Sequence, residues 1–170
     1  KMSLVEFLGY GITDFTLGGV FAYLFLVTHI TIVSVTIFLH RCQAHRSVSL
    51  NKFASHFFRF WLWLTTGMVT KEWAAIHRKH HAKCETSDDP HSPQVEGFGT
   101  VLWKGTELYR EAAKDPEICG KYGYGTPNDW LEKNVYSKFV WHGVALMLIF
   151  NFLLFAKSLS AISSTILQNE

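Results

Sequence analysis

Cysteine is scarce in this chain and unpaired. Cys42, Cys84 and Cys119 are far apart, odd in number, and form no CxxC pair. That excludes a zinc ribbon and gives no basis for a disulfide framework. Free thiols of this kind suit a reducing, cytoplasmic side, and none is assigned a metal role. Charge of one sign is equally lacking: the net charge is +2 over 170 residues, so bulk electrostatics predicts no nucleic-acid partner. HExxH is missing as well. The histidine pair at that spacing is His77 and His81, with Arg78 where the glutamate would stand, which argues against a zincin. With no cysteine to accompany the histidines, a structural zinc site is disfavoured. Proline is sparse, and Pro90, Pro93, Pro116 and Pro127 all fall in one polar stretch.

What the chain has is long apolar runs. Hydrophobic residues make up 48% and aromatics 15% of the sequence, and their concentration in runs points to a single-domain membrane protein. Residues 15–39 are almost continuously apolar and exceed the roughly 20 residues needed to cross a bilayer. Their β-branched content would suit a strand in water, but in lipid the backbone must satisfy itself, so a helix is predicted. Gly18 and Gly19 would permit close helix packing. The run is too long for a signal-peptide core and ends in no small-residue cleavage site, so it reads as a retained anchor. Residues 57–70 are shorter and aromatic, with Arg59 inside the run and Lys71 after it, which predicts an interfacial or re-entrant helix with snorkelling cations. Residues 82–135 are polar and predict loops and short helices outside the membrane, including one from Thr106 to Lys114 ended by Asp115-Pro116. Residues 139–160 predict a second span, with a weaker continuation to Leu167; the serine-rich tail from Ser158 to Glu170 carries no motif. The expected fold is therefore an all-α integral membrane protein: two transmembrane helices, an interfacial amphipathic helix and a cytoplasmic cap. Arg41, Arg46, Lys52, Lys71, Arg78, Lys79 and Lys83 outweigh Lys1, set against Glu6 and Asp14, on the other flank of the first span. The cap is thereby placed in the cytoplasm.

Two histidine clusters lie at the polar ends of these runs, His40-Arg41-Cys42-Gln43-Ala44-His45 and His77-Arg78-Lys79-His80-His81. His77, His80 and His81 stand at i, i+3 and i+4, one face of a helix. Imidazoles gathered there suit iron, copper, nickel or zinc, where the alternative is a solvated basic helix. His40 and His45, at i and i+5, diverge by about 140° on an ideal α-helix. They would chelate one ion only if the helix ended there, and otherwise would serve different ions of a pair. His29 lies inside the first span and is read as facing a helix neighbour. His56 is read as a surface residue, His91 as a loop residue and His142 as structural.

HRCQAHRS at His40 to Ser47 resembles the first histidine box, HxxxxH, of membrane fatty acyl desaturases. EWAAIHRKHHAKCETSDDPHSP at Glu72 to Pro93 resembles their second box, HxxHH, with its acidic D-P-H loop. Both boxes, in order and with shared flanks, are a specific signal over about residues 28–138, and the flavour is that of bacterial acyl-CoA desaturases. The resemblance implies a non-haem di-iron enzyme of the bacterial inner membrane that uses O₂ to introduce a cis double bond into an acyl-CoA or other acyl thioester. Electrons would come from a small redox protein such as ferredoxin, rubredoxin or cytochrome b5 with its reductase. His40, His45, His77, His80 and His81 would be iron ligands. The nearby Arg and Lys residues would contact CoA phosphates or helix ends, and Trp73 would line the acyl path or anchor in the interface.

The family's third box, HNxHH, has no counterpart here, and neither does its further histidine. The resemblance therefore implies an incomplete desaturase, from a frameshift or a truncated gene, unless a second chain supplies the missing ligands. Another histidine-box hydroxylase or ketolase, and a non-catalytic membrane remnant, are the alternative readings.

Overall fold

The computed structural model describes residues 16–167, with side chains to residue 156. The expectations for Lys1, Glu6, Asp14 and Phe15, and for the side chains of the serine-rich tail, lie outside the described residues. Among those described, every regular element is helical.

Helix α1 (Leu17–Ser34) opens on Thr16, whose side chain accepts from the Gly19 N–H, and passes directly into a π-helical segment, π1 (Val35–Ala44). Together they form 28 residues of mean hydropathy 2.1 over the most apolar stretch. At about 1.5 Å per residue this exceeds a roughly 30 Å hydrocarbon core. Its apolar side chains point outward: Phe21, Leu24, Phe25 and Leu26 are exposed, as a lipid-facing helix requires. Gly18 has only the Thr16 Oγ1 within 4 Å of an added Cβ, so among the described residues it serves no close helix contact.

Helix α2 (Lys52–Thr65) is capped by Asn51, which accepts from Ala54 N at 2.9 Å. It begins a turn earlier than its aromatic run because the cap and not the apolar composition sets its start. Phe38 and Leu39 of π1 pack with Leu62 of α2 as a dry core, bordered by Phe58 and Trp73. Arg59 departs from its expected role. It is not a snorkelling cation but is 4% exposed, with Nη2 on Asp129 at 2.7 Å and Nη1 on Glu132 at 3.1 Å. Carboxylates contributed from elsewhere in the fold make burial of this charge tolerable.

Gly67, at φ 64°, turns the chain into α3 (Thr70–Lys83), and a Cβ there would press on Val140 and Val144 at 3.3 Å. Ala74 and Ala75 of α3 are fully buried; their small size lets π1 and α6 (Pro116–Tyr122) approach closely. Between α3 and α6 lie the short α4 (Pro93–Glu96) and α5 (Phe98–Ala113). Helix α5 is broken at Lys104 (φ −117°, ψ 15°), and the part after the break agrees with the helix expected from Thr106 to Lys114. Asp115-Pro116 both separates it from its successor and starts that successor: Asp115 accepts from Glu117 N at 2.8 Å, with Pro116 in the first turn. A second π segment, π2 (Glu132–Tyr136), carries Glu132 to Arg59 and leads to α7 (Val140–Leu167). Helix α7 seats on α2: Trp63 Nε1 donates to Phe139 O at 2.9 Å, and Gly143 lies so close to the Trp63 backbone that no side chain would fit.

Candidate metal centre

The histidines converge because of the π geometry. In π1 the His45 N–H bonds His40 O at 2.9 Å, an i to i+5 closure that brings His45 over His40. The two rings lie 4.5 Å apart. The divergence of about 140° expected for an α-helix is thereby cancelled, and such π turns recur at functional sites. Helix α3 brings up the other half: His77 and His81 have ring centroids 4.6 Å apart, and His40 meets His77 at 4.8 Å.

Each of His40, His45, His77 and His81 offers a nitrogen, and these nitrogens lie within 4.8 Å of one another. His77 Nε2 is 3.3 Å from His45 Nε2 and 3.1 Å from His81 Nε2. Two imidazole nitrogens bound to one ion at about 2.1 Å stand about 3.0–3.4 Å apart, so these separations fit shared ligation. Burial pushes the His77 imidazole down to about 3, aided by the neighbouring His81, His40, His45 and His80. The same effects, desolvation first and then His40, His81 and Arg78, lower His45. Neutral rings with available lone pairs at physiological pH are what a metal requires, and an all-imidazole donor set suits iron.

His80 stands apart from these four. Its Nδ1 meets Asp89 Oδ1 at 2.8 Å, and its ring stacks on His91 at 4.4 Å. The three second-box histidines share one face as expected, the His80 ring lying 5.6 Å from His81 and 6.4 Å from His77, while its Nδ1 edge meets the loop that follows α3. Burial opposes ionisation of Asp89, but hydrogen bonds from His80 and from the backbones of His91 and Glu85 outweigh it and hold the carboxyl below its usual range. The remaining histidines stay away from the cluster: His29 bonds Phe25 O, His56 lies beside Arg59, and His142 packs on Phe139.

Arg78 ties the two boxes together. It lies between ligand candidates in sequence but reaches the end of π1 and the end of α6. There Nε donates to Ala44 O at 3.0 Å, Nη2 to Gln43 O, and Nη1 to Tyr122 O at 2.6 Å and Tyr124 O at 2.8 Å. The Gln43 and Ala44 carbonyls are those left open at the end of π1. Arg78 therefore makes helix-end contacts. No sequence signal set it apart from its basic neighbours Lys79 and Lys83.

Trp73 stacks flat on His77, with centroids 4.8 Å apart and planes at 11°. It also lines a cavity of about 430 Å³ with Met68, Val69, Tyr109, Val140 and Trp141. A smaller cavity of about 180 Å³, which shares Trp73, Gly105 and Tyr109 with the first, is walled by His77 and His91. Mostly apolar space thus borders the histidines.

The family "Fatty acid desaturase" matches residues 16–162. The chain is 32% identical to Delta-9 acyl-lipid desaturase 1 of Arabidopsis thaliana over 126 residues, 72% of this chain and 38% of that protein. It is 30% identical to Acyl-CoA 5-desaturase AL21 of Anemone leveillei over 122 residues, 65% of this chain and 34% of that protein. It thus spans little more than a third of the length of these relatives. No solved structure matches. The matched residues include both histidine boxes and the elements that bring them together, and the chain belongs to the fatty acid desaturase family.

Proposed function

We propose that this chain carries the first two histidine boxes of an O₂-dependent fatty acyl-CoA desaturase of the membrane. The observation that carries the reading is the convergence of His40, His45, His77 and His81 at the end of the long apolar helix. The reaction balances as CH₂–CH₂ + O₂ + 2e⁻ + 2H⁺ giving CH=CH + 2H₂O, with electrons from a small redox protein and its reductase. When bound, a pair of irons would supply the activation of O₂.

The protein's own residues do the rest. His40, His45, His77, His80 and His81 hold metal, with the first, second, third and fifth of these near enough to share one ion. Trp73 screens His77 from water and borders the space through which an acyl chain reaches the site; Met68, Val69, Val140 and Trp141 supply its apolar wall. Helices α1 with π1, and α7, cross the membrane, α2 lies at its interface, and the elements from α3 to π2 form the cap. The basic residues around the boxes favour the cytoplasmic side. The bacterial inner membrane and the CoA head group rest on the resemblance of the sequence. Five imidazoles do not saturate two irons, so further ligands from outside these residues complete the pair, and the chain alone is not proposed to turn over.

Iron per chain in detergent-purified, anaerobically reconstituted protein tests this, with His77→Ala as control. Iron bound by the wild type and lost in the variant supports the reading and justifies acyl-CoA assays for a double bond. No iron in either overturns it.

A further inference from the structure

The group at the end of α3 formed by His80, Cys84 and Asp89 has the donor types of a second metal site, but its hydrogen bonds argue otherwise. Asp89 Oδ1 accepts from His80 Nδ1 at 2.8 Å and from His91 N at 3.2 Å, and Oδ2 accepts from Glu85 N at 3.1 Å. The carboxylate side chain is fully buried, and both oxygens are engaged, which leaves Asp89 poorly placed to bind an ion. An ionised carboxylate only accepts, so Nδ1 of His80 carries a proton, and Nε2 is the nitrogen left to bind a metal.

We propose that Asp89 is a positioning residue for the metal centre: it fixes His80 in the Nδ1–H tautomer, with Nε2 as its ligand atom, and its backbone contact to His91 holds that ring stacked over His80. Carboxylate partners of metal-binding histidines fix tautomer and ring orientation and raise ligand basicity. His91 belongs to this device as a packing partner: its ring lies at 22° to His80 and also walls the small cavity beside His77. The loop around Asp89 has independent support, because Ser92 Oγ donates to Glu85 Oε2 at 2.7 Å and accepts from Val95 N at 3.3 Å.

This assignment rests on the iron reading of the cluster, and the test separates the two. Asp89→Leu keeps size and removes both acceptors. His80 Nδ1–H then has no carboxylate to donate to, and the tautomer loses what holds it. Long-range ¹⁵N–¹H NMR of the histidine rings in detergent, with His80 assigned by His80→Gln, reads the tautomer without metal or turnover. Anaerobic Fe(II) titration reads affinity. The expected result is Nδ1–H in the wild type, a shift toward Nε2–H in Asp89→Leu, and a loss of Fe(II) affinity of about 10- to 100-fold. Ser92→Ala, which loosens the same loop but spares the Asp89–His80 bond, should change neither. An unchanged His80 tautomer in Asp89→Leu overturns the proposal, and so does an equal loss of affinity in Ser92→Ala, which would make Asp89 only a loop anchor. A wild type that binds no Fe(II) overturns the iron reading, and the tautomer measurement then decides the Asp89 assignment by itself.

Discussion

Replacing Arg78 by lysine keeps the charge and removes the fork. Arg78 spans four carbonyls on two segments, two at the end of π1 and two between α6 and the loop after it. It also lies over the Tyr124 ring at 4.2 Å. A lysine ammonium is a single point and cannot bridge both segments. At least two of the four bonds are lost, and each hydrogen bond from a charged donor contributes about 1.5–3 kcal/mol. The expected loss is about 3 kcal/mol, a fall in Tm of roughly 6–12 °C for a chain of this size. Lys83→Ala, which removes an exposed pair with Asp88, is the matched control and should leave the melting point within about 2 °C of wild type, because solvent screens such a pair. Because His45 follows Ala44 directly, Arg78→Lys should also weaken Fe(II) binding, whereas the control should not. Thermal melts by tryptophan fluorescence in one detergent, paired with Fe(II) titration, test both effects. A melting point within 2 °C of wild type would refute the idea that Arg78 fastens the first box to the second.

Acid should destabilise the metal-free protein in a defined window. The folded His77 value of about 3 lies below its ordinary 6.5, so the unfolded chain binds the proton first, and stability present above pH 6.5 is lost as pH falls toward 3. Melts of wild type against His77→Gln should diverge below pH 6.5, the variant being less acid-sensitive. Gly67→Ala, at φ 64° and with Val140 and Val144 in the way, should cost about 1–2 kcal/mol, read as a lower Tm with the iron stoichiometry retained. Arg59→Met leaves Asp129 and buried Glu132 without their cation and should cost about 3–5 kcal/mol by thermal melt. Replacing Glu132 by glutamine in the same chain should restore part of that loss. If the cluster holds iron, removing it with a chelator should lower Tm, by about 2.7 kcal/mol of lost stabilisation when metal had stood at a hundredfold excess over Kd.

The helical class, the long apolar first helix and both histidine clusters were legible in the residues because each depends on local pattern. A run of apolar side chains needs a helix in lipid whatever surrounds it, and HxxHH on a helix sets His77 and His81 one turn apart. Asp115-Pro116 was also read as a boundary, although proline in a first turn starts a helix as readily as it stops one. What only the tertiary structure decided depends on partners distant in sequence. The π winding from Val35 to Ala44 is not written in any local preference, yet it turns His40 and His45 from divergent to convergent. Arg59 and Arg78 look like surface cations among apolar and basic neighbours. They are buried because Asp129, Glu132 and the open carbonyls of π1 and of the loop after α6 reach them from elsewhere. The His80 ring stays beside His77 and His81, but its orientation is set by a buried carboxylate nine residues later that holds its Nδ1. Local sequence specifies which side chains carry chemistry and how each helix winds by default; long-range hydrogen bonds and close packing decide which of them meet, since a buried polar group must find its partner wherever the fold provides one.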